Sequence, residues 1–286
     1  MAPLLALVTS ALYGTGDFLG GVATRRSPVL GVLMVVQGVG LVGLLIVVIP
    51  FGDAIGAAFA LRDVTIGLVG GLAGVAGLGL LYRGLATGPM GVVAPLTAVT
   101  SVVVPVGWDL LGGTRPGPMT VVGMIGATVA VVLISSEPNT DDAPPVGVRV
   151  IGEALAAGCG FGVFFILFSA TDPGSAPWPV IGARFGGLCA LLCAAAVVRT
   201  LDRGPTRPRG GWVTMVTGGL CDTGANVTFL LALSHGTLSV VAVLSSLYPA
   251  ATVLLARLVL SERFTRRRLT GLVVAGIAVV LISAGS

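Results

Sequence analysis

The sequence has no lysine, a single histidine, and few charges of either sign: sixteen arginines and twelve acids make up 10% of its 286 residues. Soluble domains carry about 25% charge, so a chain solvated on all sides is excluded. Aromatic residues are scarce at 6%, and the four cysteines, Cys159, Cys189, Cys193 and Cys221, have no His or Cys neighbours at zinc-site spacing. They read as small apolar helix residues, and no metal is expected. No Ser–His–Asp, HExxH or Walker pattern occurs, and Gly14–Thr15–Gly16 opens no strand–turn–helix unit. The chain is therefore not read as an enzyme, and neither a cofactor nor a nucleic-acid partner is expected.

What fills the chain instead is apolar: 55% of the residues, with a mean hydropathy of +1.04, and 44 glycines besides. Glycine is common where membrane helices pack backbone to backbone. Stretches without Asp, Glu, Arg or Lys cover residues 27–52, 64–82, 84–108, 119–136, 154–171, 223–256 and 269–286. Most reach or approach the length of about 18 residues that signals a transmembrane helix. The longest would overrun a hydrocarbon layer of about 30 Å, so a turn near His235 and Gly236 must divide it.

Ten spans result, at 3–21, 28–49, 64–84, 89–111, 119–136, 150–168, 177–198, 211–233, 237–259 and 268–285, with the longest loops near 50–63, 137–149 and 199–210. The fold class is an all-α polytopic membrane protein. The apolar run from residue 2 lacks a basic segment before it, and another span follows closely, so it reads as a first span and not as a cleaved signal peptide.

An internal repeat organises the spans. Shifted by 148 residues, "GPMGVVAPLTAVTSVVVPVGWDLLGGTRPGPMTVVGMIGATVAVVLIS" at 88–135 falls without a gap on "GTLSVVAVLSSLYPAATVLLARLVLSERFTRRRLTGLVVAGIAVVLIS" at 236–283, with 15 of 48 positions identical. The same offset places the "GGL" of 70–72 on that of 218–220. Residues 1–136 and 150–286 are thus two five-helix repeats joined by 137–149. Five is odd, so equivalent helices cross the bilayer in opposite directions: two inverted five-helix repeats, an arrangement suited to alternating access around a central site.

The rare charges inside spans are the candidate site. Asp222 lies near the middle of the eighth span with Asn226 one turn later on the same face. Facing lipid, the carboxylate would cost at least a few kcal/mol, so this face turns inward. Arg184 in the seventh span is its expected partner, and Asp17 toward the end of the first is a second inward acid. The 148-residue shift maps these three onto Gly74, Val36 and Phe165, so the charges are not part of the symmetric scaffold. A structural Arg–Asp clamp is the competing reading.

Other polar residues grade downward. Gln37 and Asn226 read as hydrogen-bonding groups toward substrate or a neighbouring helix. Tyr248 with Pro249 in the ninth span, and Pro95 with Pro105 in the fourth, are expected to free carbonyls and bend their helices beside a cavity. His235, the single histidine, sits at a helix end and reads as incidental. Arg83, Asp109, Glu153 and Arg257 lie close enough to span ends to snorkel. Gly70 with Gly74, and Gly182 with Gly186, mark close-packing faces. Thirteen of the sixteen arginines lie at the loops after odd-numbered spans, which by the positive-inside rule puts both termini outside.

"LYGTGDFLGG" at 12–21 and "LSSLYPAATVLLARLVLSERFTRRRLTGLVVAGIAVVLIS" at 244–283 carry a resemblance. Through them the chain resembles the drug/metabolite transporter superfamily, and within it the ten-helix EamA-domain family. Pro249, Glu262, Arg263, Thr265 and Gly271 match that pattern. The first repeat departs from it, with Thr114 and Ser101 where the second has Glu262 and Pro249. The resemblance implies a bacterial inner-membrane carrier with cytoplasmic termini, opposite to the arginine count. It implies export of amino acids, related metabolites or toxic compounds, driven by an ion gradient or by exchange. It also implies a cavity between helices one, three, four, six, eight and nine, which here would include Asp17, Asp222, Asn226 and Tyr248.

Three functions are weighed. In the first, Asp222 and Arg184 bind a zwitterionic or charged metabolite, and protonation of Asp17 or Asp222 couples export to a proton gradient. A hydrophobic-cation or drug exporter needs an unpaired acid beside aromatic surface, and the low aromatic content argues against it. A non-transporting scaffold would leave Asp222 in a saturated ion pair. The partners these readings call for are a small solute, the lipid bilayer, and a proton or counter-substrate; a homodimer is compatible with all of them.

Overall fold

In the computed structural model the chain is described over residues 1–24, 27–51, 58–87, 90–135, 147–200, 208, 210–251, 254–255 and 266–285. Among these residues run ten α-helices: α1 (Ala2–Thr24), α2 (Val29–Phe51), α3 (Leu61–Thr87), α4 (Met90–Leu111), α5 (Pro118–Ser135), α6 (Val148–Ser169), α7 (Trp178–Thr200), α8 (Trp212–Leu233), α9 (Leu238–Ser245) and α10 (Arg266–Gly285). A 3₁₀ turn at Pro173–Ser175 links α6 to α7. Six helices are long and apolar enough to span a bilayer, and four shorter apolar ones accompany them. Hydropathy locates these elements because a single apolar segment crossing lipid satisfies its own backbone only as a helix.

The ninth span departs from expectation. It is not continuous: after Ser245 the chain turns at Ser246–Leu247 and helix resumes over 248–251. Pro249 has no N–H to give the Ser245 carbonyl, and Leu247 and Ala250 bond back only three residues, to Leu244 and Leu247. α4, by contrast, stays helical through Pro95 and Pro105. The surroundings of the Pro95 side chain lie outside the described residues, as do Arg257, Glu262, Arg263 and Thr265.

Packing interleaves the two repeats. α3 packs on α6 and α7 and α4 on α6, while α8 packs on α1 and α2 and α9 on α1. Adding five to each label, and wrapping past ten, converts the first group into the second, so the repeat symmetry is present in the contacts. The chain therefore forms two four-helix bundles, α3/α4/α6/α7 and α1/α2/α8/α9, each with helices from both repeats; α5 and α10 pair with each other.

Glycine makes the bundles tight. A Cβ on Gly182 would strike the Val64 carbonyl and one on Gly71 the Ala183 carbonyl, so α3 and α7 touch backbone to backbone. Gly70 and Gly74 serve a different helix, with Cβ positions 3.6 Å from Phe168 and 3.2 Å from Phe164 of α6.

Candidate functional site

Between the two bundles lies a cavity of about 80 Å³, lined from α1, α2, α3, α4, α6, α7, α8 and the break after α9. By the space one water occupies, it has room for several waters. Arg184 enters from α7 and is 3% exposed. Its Nη1 donates to Asp222 Oδ2 of α8 at 2.5 Å, and also to Gln37 Oε1 of α2. Two glycines make room: a Cβ on Gly40 would meet Thr223 Oγ1 and the Arg184 side chain, and one on Gly187 would meet the Gln37 amide.

A guanidinium does not deprotonate, so burying it demands a counter-charge, and Asp222 supplies one. The pairing is unsaturated. Arg184 Nε and Nη2, Thr223 Oγ1 and Ser245 Oγ have no hydrogen-bond partner among the described residues. Unmet donors in a low dielectric cost more than the same groups in water.

The expected partners of Asp222 assemble around it. Asn226 donates to the Asp222 backbone carbonyl at 2.8 Å and accepts from Tyr13 Oη at 2.7 Å, which ties α8 to α1. Asp17 lies one turn beyond Tyr13 and lines the same cavity. It has no ion-pair partner among the described residues, so the cavity holds two carboxylates and one guanidinium. Tyr248 also lines it, beside Ser245 and Ser246 at the break that Pro249 enforces.

Several wall residues gave no sequence signal. Tyr13, Phe161, Phe164 and Phe165 line the cavity beside the expected Tyr248, and Phe165 stacks on Phe229 at 4.5 Å between ring centroids. The overall scarcity of aromatics thus conceals a local concentration. Tyr13 was open to inference as the residue one turn before Asp17; the phenylalanines were not, because nothing on α6 marks one apolar face as the inner one. Asp109 also differs from expectation. It does not snorkel but accepts from the backbone N–H of Ser239 at 2.8 Å and from its hydroxyl at 2.6 Å. Among the described residues no three His, Cys, Asp or Glu side chains gather as metal ligands.

The comparisons with known proteins agree with this geometry. Residues 150–284 match the EamA-like transporter family. The second repeat is similar to that family. The match covers the repeat that carries Pro249 and Gly271, and leaves out the first, where the pattern is weaker. A crystal structure described only as that of a protein shares the fold, with a TM-score of 0.74 and 17% identity over 99% of this chain and 98% of its own. No curated protein matches the chain. The protein is an all-helical multi-pass membrane protein that shares the fold of that structure.

Proposed function

We propose that the protein exports a small amphipathic solute carrying an amine, best fitted by an amino acid or related metabolite, through alternating access of the two bundles around the Arg184–Asp222 cavity. The observation that carries the reading is the asymmetry of the two acids: Asp222 is neutralised by Arg184, and Asp17 is not. An unpaired carboxylate receives an ammonium group or a proton. The unmet Nε and Nη2 of Arg184 suit a carboxylate, and the aromatic wall suits an apolar body. Proton coupling or exchange at Asp17 follows, because one carboxylate cannot hold the amine and the proton together. Residues 1–136 and 150–286 are taken as the duplicated units, joined by 137–149, while the interleaved bundles are the bodies that move.

The same unpaired acid beside aromatic surface also favours a second reading, export of hydrophobic cations. Proteoliposome flux separates the two. α-Amino acids with apolar side chains are compared with the amines left when their carboxylates are removed, with and without an imposed pH gradient. Flux of the amino acid with loss on decarboxylation supports the first reading; preference for the bare amine supports the second. Flux of neither under either gradient removes both.

A further inference from the structure

A second cavity, of about 760 Å³, opens on the face where Met1 and Gly285 lie, and is lined among others by Leu7 of α1 and by Thr237 and Val240 at the start of α9. The central cavity touches α1 at Tyr13 and Asp17, and the α9 span at Ser245 and Ser246. Leu7 to Tyr13 is six residues, a rise of about 9 Å. A layer less than two helical turns thick therefore separates the cavities, and α9 is part of both walls.

α9 is built to move as a piece. Its eight residues are all buried, its lower end is cut from the helix beyond by the turn at Ser246–Leu247, and Thr237 makes no side-chain cap at its upper end. The cap comes instead from Asp109 of α4, in the other bundle. One carboxylate oxygen takes the Ser239 N–H and hydroxyl, satisfying an orphan donor of the first turn and opposing the helix dipole. By contrast, Thr9 with Thr228 and Tyr13 with Asn226 both join α1 to α8, inside one bundle. Asp109–Ser239 crosses between bundles, as does the Arg184 cluster, so relative motion of the bundles must break or strain it.

We propose that α9 is the gate between the central cavity and the face carrying the chain ends, and that Asp109 is the positioning residue that latches it shut. The inference rests on the carrier reading above. Opening breaks the two hydrogen bonds at Asp109 and swings α9 about the Ser246–Leu247 turn, joining the two cavities.

The test reads accessibility, which needs no substrate. With the four native cysteines replaced by alanine, Ser246→Cys reports entry of a membrane-impermeant methanethiosulfonate applied separately to each face of the membrane. In the Asp109→Ala background, labelling from the face of the chain ends rises about tenfold, as loss of a charged hydrogen bond shifts a closed–open equilibrium. Labelling from the opposite face does not rise. A rate that does not change, or that rises from both faces as general loosening would make it, overturns the latch. If Asp109→Ala does not reach the membrane, Ser239→Ala removes the hydroxyl donor alone; it gives a smaller rise of the same one-sided kind, and its absence overturns the proposal equally. Failure of the flux assays with the latch intact removes the solute reading and leaves the gate.

Discussion

Asp17 and Asp222 face one cavity from α1 and α8, and among the described residues Asp222 alone of the two has a counter-charge. The helices are close here: a Cβ on Gly16, next to Asp17, would lie 3.5 Å from Asp222 Cβ. Two acids so near each other in a membrane interior differ in their surroundings, one held by a guanidinium and the other facing the cavity without an ion-pair partner among the described residues. That difference makes their substitutions distinguishable.

Asp222→Asn removes the partner of a buried guanidinium. Stability falls by about 2–3 kcal/mol, at the low end for a broken buried pair because the Asp222 side chain keeps 23% exposure. Asp17→Asn breaks no ion pair, so its unfolding temperature stays at or above that of the parent. Both lose flux. Thermal unfolding in detergent beside proteoliposome flux checks the contrast; equal destabilisation by the two substitutions would show that Asp17 has a partner of its own.

Gly40→Ala places a methyl group against Thr223 Oγ1 and 3.1 Å from Arg184 Cδ. The guanidinium must shift, and its hydrogen bonds to Gln37 and Asp222 shift with it. Flux falls at least tenfold, the scale of one misplaced charged hydrogen bond. Gly38→Ala, where nothing lies within 4 Å of the added atom, stays at the parent rate. Comparable loss in both would attribute the effect to helix rigidity and not to the arginine.

Tyr13→Phe deletes the hydroxyl that donates to Asn226 Oδ1 at 2.7 Å. The expected cost is about 1 kcal/mol, read as a lower unfolding temperature. Asn226→Ala costs more, since it also abandons the Asp222 carbonyl at 2.8 Å. A double substitution that costs no more than Asn226→Ala alone shows the two groups acting as one link.

The helices were legible because a single segment spanning lipid satisfies its backbone as a helix, and apart from the end of α9 at Ser245, well short of the expected 259, each described boundary lies within three residues of expectation. The Arg184–Asp222 pair was legible for the same reason, a charge in an apolar span having few places to go. Its third member was weighed only as a generic hydrogen-bonding residue, because Gln37 is neutral and creates no such demand. The interleaving of the bundles escaped the sequence altogether: repeats reveal which helices are equivalent, not which ones touch. Asp109 was misread because position near a span end suits both a snorkelling side chain and a cap on a distant helix.

The final question is whether the Arg184–Asp222 pair binds solute or merely clamps α7 to α8. Removing one charge cannot answer it, since the orphaned partner destabilises the fold under either reading. Removing both can. Arg184→Met with Asp222→Leu replaces the pair by apolar side chains, and such exchanges leave stability near the parent value or raise it, within about 1 kcal/mol of neutrality at the lower limit. The double variant therefore recovers the unfolding temperature that Asp222→Asn loses. On the carrier reading flux stays absent, because the cavity has lost the group that meets a carboxylate and the acid beside it. Recovery of flux together with stability would make the pair a clamp, and the solute site would then be Asp17 and the aromatic wall alone.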